Sequence, residues 1–162
     1  MGTNFYRVPK GKEMIRREQK LRNRIDELDS INPADILSKF RYISVGEWDS
    51  ISGWDEFLEG TCIHMGKRSS GWKFIWNWNG GKYYKSKEEL FKFIRSGRIV
   101  DEYGQQINVE EFITMALEWG KEDGWDSETY YKEHPEHRTP WSDGKHEEYI
   151  DGLRVSTSVD FS

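Results

Sequence analysis

One cysteine and four prolines stand in 162 residues, and hydrophobic residues make up only 35% of the chain. The lone Cys62 rules out an intramolecular disulfide and a cysteine-rich zinc centre, and it fits a reducing compartment. No apolar run approaches the roughly 18 to 20 residues that a membrane span needs. The opening MGTNFYRVPK lacks the apolar stretch of a secretory signal, so the expected location is cytoplasmic. Internal repeats and low-complexity tracts are missing. So are G-x-S-x-G, H-E-x-x-H and the dinucleotide-binding glycine pattern. The acidic run 122–128 lacks the residue order of a calcium-binding loop.

What the chain does have is rings and charge. Eight Trp, eight Tyr and eight Phe can fill a core that is poor in aliphatics, because each buries a large surface. Charged residues make up 33%, which suits a compact, well-solvated domain. They are distributed unevenly. Residues 1–24 carry eight Lys/Arg against two Glu, residues 25–100 balance at eleven each, and residues 101–162 carry five cations against sixteen carboxylates. Ends of opposite sign either attract one another or serve a partner.

The pattern predicts one α+β domain over residues 1–162. It comprises a helical insertion at 10–60, a core at 61–120, an acidic loop region at 121–146 and a terminal strand within 147–162. Residues 1–9 read as extended. Met14, Leu21, Ile25 and Leu28 form a helical stripe over 10–28, and Asn32-Pro33 opens a short helix through Phe40. A small antiparallel sheet is expected from strands near 61–65, 72–78, 82–85, 99–100 and 153–161. Two or three helices should cover it, among them 86–97, started by Ser86 and Glu89, and 108–119, started by Asn108. Asn79-Gly80-Gly81 reads as the hairpin turn between 72–78 and 82–85.

The richest stretch is HMGKRSSGWKFIWNW, residues 64–78. Alternation puts Trp72, Phe74, Trp76 and Trp78 on one strand face. Phe74 and Trp76 fit the core, while Trp72 and Trp78, at the strand ends, fit a partly exposed contact. GKRSSG is not a phosphate-binding P-loop. Thr61 stands where its first glycine belongs, and Arg68 stands where Ser or Thr must hold magnesium. His64, Lys67, Ser69 and Trp72 nevertheless remain candidates for one ligand site around a tight turn, with Tyr103 beside it. Asp101 or Glu102 would orient His64 if Ile99-Val100 pairs near 61–65. His134 and His137 have a metal-ligand spacing, but Pro135 between them opposes a regular helix, so neither metal nor cofactor is assigned.

Four blocks in order, MGTNFY, IHMGKRSSGWKF, IVDEYG and the closing Phe161-Ser162, resemble a family of small proteins found largely in bacteriophages and prophages. That family is similar in opening with Met-Gly-Thr-Asn and an aromatic pair, in a His-Ile-Gly-Lys-Ser-Ser-Gly-Gly-Trp block and in a Phe-Ser terminus. The blocks cover about a quarter of the chain, with specificity resting on their order. The resemblance implies that Gly2, Thr3, Asn4, His64, Gly66, Lys67, Ser69, Gly71, Trp72 and Asp101 to Gly104 belong to a shared framework. Met65, Arg68 and Ser70 depart from the pattern. It implies no activity, but it makes a phage accessory role an expectation.

Three functions follow as expectations. The first is a non-enzymatic module, with counter-defence as one setting, that binds a host protein or an anionic, nucleotide-like ligand; nucleic acid is a less favoured partner. The second is a small hydrolase or transferase using His64 with Asp101 or Glu102. The third is an acidic mimic of nucleic acid built from the carboxylates of 101–162.

Overall fold

A computed structural model describes residues 2–26, 62–139 and 146–157. The expected helix at 33–40 lies outside them, as does the far end of the expected 153–161 strand. The architecture is α+β: a seven-stranded, mostly antiparallel sheet with helices. In chain order the elements are β1 (Gly2–Val8), α1 (Gly11–Asp26), β2 (Ile63–Ser69), β3 (Ile75–Asn77), α2 (Lys87–Arg95) and β4 (Arg98–Asp101). Then come β5 (Gln106–Ile107), α3 (Val109–Glu118), α4 (Ser127–Glu133), β6 (Glu147–Ile150) and β7 (Leu153–Ser156).

The strand order is β5-β4-β1-β2-β3-β7-β6, antiparallel at every step except the parallel β3–β7 contact. The segment that reads only as extended, residues 2–8, thus becomes a central strand. Phe5 lies opposite Gly66 but Tyr6 lies opposite His64, so Met65 is an extra residue on β2. Such a bulge re-aims side chains. Met65 enters the core with no exposed surface. Because Lys67 lies three positions after His64, simple alternation would put them on opposite faces. The bulge brings both to the same one, beside Tyr6 and Asn4.

α2 and α3 cover the other face. In α2, Ser86 Oγ accepts from the Glu89 N–H, while Glu89 Oε2 accepts from the Lys85 N–H. Leu90 and Ile94, one turn apart, are fully buried. In α3, Asn108 Oδ1 accepts from the N–H groups of Glu110 and Glu111, and Phe112, Ile113 and Ala116 enter the core. The core is built from interlocked rings, as the composition requires. Phe112 meets Phe5 at 5.2 Å and Trp76 at 5.7 Å, and Phe74 meets Trp76 edge-on at 4.8 Å between centroids. Each such pair adds about 0.5–1.5 kcal/mol beyond the area it buries.

Arg7, only 2% exposed, ties α1 and α2 to this sheet. Its Nε donates to the Phe93 carbonyl at 3.0 Å, and its Nη2 donates to Glu13 of α1 and to Ser96 Oγ, both at 2.9 Å. Its guanidinium lies 4.1 Å from the Phe93 ring centroid.

Three expectations are corrected. Residues 82–85 form no strand. Asn79–Gly81 instead makes a 3-10 turn, Tyr84 drops into the core and donates to the Asn77 carbonyl, and β7 takes the sheet edge reserved for the hairpin. Trp78 is not a partly exposed contact but 7% exposed, packed edge-on against Tyr84 at 5.3 Å. The acidic stretch 121–146 is not all loop, because Asp126 and Thr129 form a capping box that starts α4.

Candidate functional site

Parts of the blocks that resemble the phage family, GTNFY, HMGKRS and IVD, lie on three adjacent strands, with β1 between β2 and β4. On the face away from α2 and α3, the Tyr6 and His64 rings stack at 4.8 Å between centroids and 23° between planes. His64 Nε2 lies 3.1 Å from the Gly66 carbonyl, which requires the proton to sit on that nitrogen. Partial burial raises the Tyr6 hydroxyl above its ordinary pKa, and the nearby Cys62 and Glu102 raise it further. Burial pushes the Cys62 thiol up to about 12, so it is no nucleophile at neutral pH.

The carboxylates expected to orient His64 have other work. β1 separates β4 from β2, so Ile99-Val100 does not pair with the 61–65 stretch. Asp101 lies in the Phe5 row, on the core side, whereas His64 lies in the Tyr6 row. Asp101 Oδ1 accepts from the N–H groups of Tyr103 and Gln105, both at 2.9 Å, and so shapes the 101–105 turn. Glu102 Oε2 accepts from Asn4 Nδ2 at 3.0 Å, which links the DEYG turn to β1.

The five expected ligand residues do not all converge. His64, Lys67 and Ser69 share a face, with the Lys67 side chain and the Ser69 hydroxyl both lying over Gly2. The Ser69 carbonyl also accepts from the Trp119 indole N–H at 3.1 Å. Trp72 joins the rings of Trp125 and Tyr130: its backbone bridges that of Trp125, and its indole meets Tyr130 at 4.9 Å. Tyr103 is 76% exposed at the tip of its turn. Arg68 lies over the rings of Trp119 and Phe5 at 5.1 and 5.6 Å.

A cleft of about 600 Å³ opens elsewhere, between α4, the turn after it and β6. Tyr131, Lys132 and Glu128 line one side, Tyr149, Glu147 and Glu148 the other, with Ser127 and Arg138 completing it. Two carboxylates fix its walls, the buried Asp126 and the partly buried Glu147. Asp126 accepts from the Thr129 N–H and hydroxyl at 2.9 and 2.7 Å, from Tyr149 OH at 2.7 Å and from Lys73 Nζ at 3.2 Å. Burial acts to raise its pKa, but the Thr129 N–H, the two hydroxyls and Lys73 outweigh burial and hold it far below the usual carboxylate range. Partial burial and the Asp126 charge hold the Tyr149 phenol well above its own range. Glu147 accepts from the Ser127 N–H and hydroxyl at 3.1 and 2.8 Å and from Arg154 at 2.6 Å.

Two local signals mark this cleft in the sequence. One is the Asp126–Thr129 spacing. The other is Asp151-Gly152, whose positive φ values of 50° and 79° form the two-residue turn of the β6–β7 hairpin. Among the described residues, one group offers metal-ligand atoms close together: His134, Glu136 and His137. Pro135 does prevent an α-helix there, but the chain answers with a 3-10 turn over Pro135–His137. Comparison with protein-family models, curated proteins and solved structures finds no match to this chain.

Proposed function

We propose that this protein is a non-enzymatic binding module whose cleft between α4 and β6 takes a polypeptide segment of a partner protein. The observation that carries this reading is the charge and shape of that cleft. Tyr131 and Tyr149 both line it, with Lys132 and Arg138 alongside Glu128, Glu147 and Glu148. A nucleotide's phosphates would meet those carboxylates, of which Glu147 is paired with Arg154. A polypeptide offers both signs of charge together with main-chain donors and acceptors, and tyrosines are favoured anchors for such contacts. The hydrogen bonds of Asp101 and Glu102 support a binding role over the His64-centred hydrolase. The resemblance to phage and prophage proteins suggests the setting, with a host protein as the partner.

Panning a random heptapeptide library on the immobilised protein tests this. Selected peptides should saturate the protein in fluorescence anisotropy, and Arg138→Glu should weaken them at least about tenfold, equivalent to ~1.4 kcal/mol. Saturable binding of ATP or single-stranded DNA in the cleft, with no peptide selected, would sink the reading.

A further inference from the structure

We infer that His134, Glu136 and His137 form a binding site for one divalent transition cation of the zinc class. The site is local in sequence and is made by the turn that ends α4. The His134 N–H still bonds the Tyr130 carbonyl, as a helix would have it. Pro135 then opens the 3-10 turn at a position whose missing N–H costs nothing, and the His137 N–H closes it on the His134 carbonyl at 3.1 Å. The tighter turn gathers side chains that an α-helix would fan apart. His134 Nδ1 lies 3.5 Å and His137 Nε2 3.8 Å from the same Glu136 oxygen, Oε1, and all three ligand atoms fall within 4.8 Å of one another. Bonds of about 2.0–2.1 Å to a tetrahedral zinc set ligand atoms roughly 3.3–3.4 Å apart. Small side-chain rotations close the difference.

A second observation points the same way. Ligating histidines characteristically hold their other ring nitrogen in a hydrogen bond, which fixes the tautomer and frees the ligating lone pair. His137 does so: its Nδ1 lies 2.8 Å from the Tyr130 hydroxyl, leaving Nε2 towards Glu136. The His134 ring is held between Tyr130 at 4.8 Å and the edge of Trp125 at 5.8 Å, and it lies nearly parallel to His137 at 18°. Both imidazoles are therefore oriented before a cation arrives. Two imidazoles and one carboxylate suit zinc, cobalt, nickel and copper over magnesium or calcium, which prefer oxygen ligands. With His137 54% and His134 39% exposed, the coordination sphere is open to solvent on one side. This site stands apart from the polypeptide reading and does not depend on it.

Titrating chelator-stripped full-length protein with ZnCl₂ in a calorimeter should show one equivalent bound. His137→Ala and Glu136→Gln should each weaken it at least about tenfold, as losing a ligand does, while His146→Ala leaves it unchanged. In parallel, imidazole ¹⁵N spectra of the unsubstituted protein should show zinc moving the His134 Nδ1 and His137 Nε2 resonances and leaving those of His146 in place. The spectra decide the matter if a variant proves unstable. No saturable binding, shifts confined to other histidines, or affinity unchanged in both ligand variants would overturn the site.

Discussion

The Tyr149 hydroxyl donates to the Asp126 carboxylate at 2.7 Å, so the exposed strand β6 is pinned to the residue that starts α4. One buried carboxylate thus fixes a helix N-terminus, a hairpin and, through Lys73, the chain leading into β3.

Replacing Asp126 with Ala should cost about 3 kcal/mol, a helix cap plus hydrogen bonds to a charged group. Tyr149→Phe, which removes one of those bonds, should cost about 1 kcal/mol. Urea unfolding followed by tryptophan fluorescence gives both values. Equal stability of Asp126→Ala and the unsubstituted protein would contradict the network.

The same carboxylate makes a pH signature. Its pKa is depressed in the folded state, so the stability it contributes is fully present above the unfolded value of about 3.9 and is lost as pH falls below it. Stability measured at pH 5 and at pH 3 should drop less in Asp126→Asn than in the unsubstituted protein. An identical drop would assign acid sensitivity to other groups.

Gly66 is required for packing, although it lies in the motif that resembles a phosphate loop. A Cβ added there would sit 2.6 Å from both the Ile75 carbonyl oxygen and the Phe74 ring. Gly66→Ala should therefore destabilise the protein by about 2–3 kcal/mol, as overpacking does, and lower its Tm. A thermal melt unchanged by the substitution would remove the steric argument.

Arg7 should resist conservative exchange. Its fork reaches Phe93, Ser96 and Glu13 at once while stacking on a ring, a geometry that an ammonium cannot reproduce. Arg7→Lys should cost about 2 kcal/mol or more in chemical unfolding, since Glu13 and the Phe93 carbonyl lose charged donors. Full stability in Arg7→Lys would reduce the contact to simple charge pairing.

Cys62 should react slowly with a disulfide reagent at pH 8 in the native protein and rapidly once unfolded, because burial keeps its thiol protonated. Equal rates in the two states would argue against that burial.

Much of the helical layer was legible in the sequence. Ser86 and Asn108 are local signals that act within one turn, and Leu90 with Ile94 carries its own periodicity. The core roles of Phe74 and Trp76 follow from alternation in the same way. What failed was non-local. Nothing within residues 2–8 says that they pair on both sides, and nothing in Asn79-Gly80-Gly81 says that β7 will take the edge its hairpin would have used. The bulge at Met65 decides which candidate residues share a face, and it depends on pairing with β1. Asp101 looks like a catalytic carboxylate from its type and spacing, but its role is set by two backbone N–H groups. The Asp126–Thr129 and Asp151-Gly152 signals were readable, and they carry most of the cleft.

The position of β1 has a consequence for biosynthesis. This strand precedes both of its sheet neighbours in the chain, and dozens of residues separate it from β2. A nascent chain must therefore carry Gly2–Val8 with both hydrogen-bonding edges open until the later strands emerge from the ribosome. Slow translation lengthens the time for which those edges stay open.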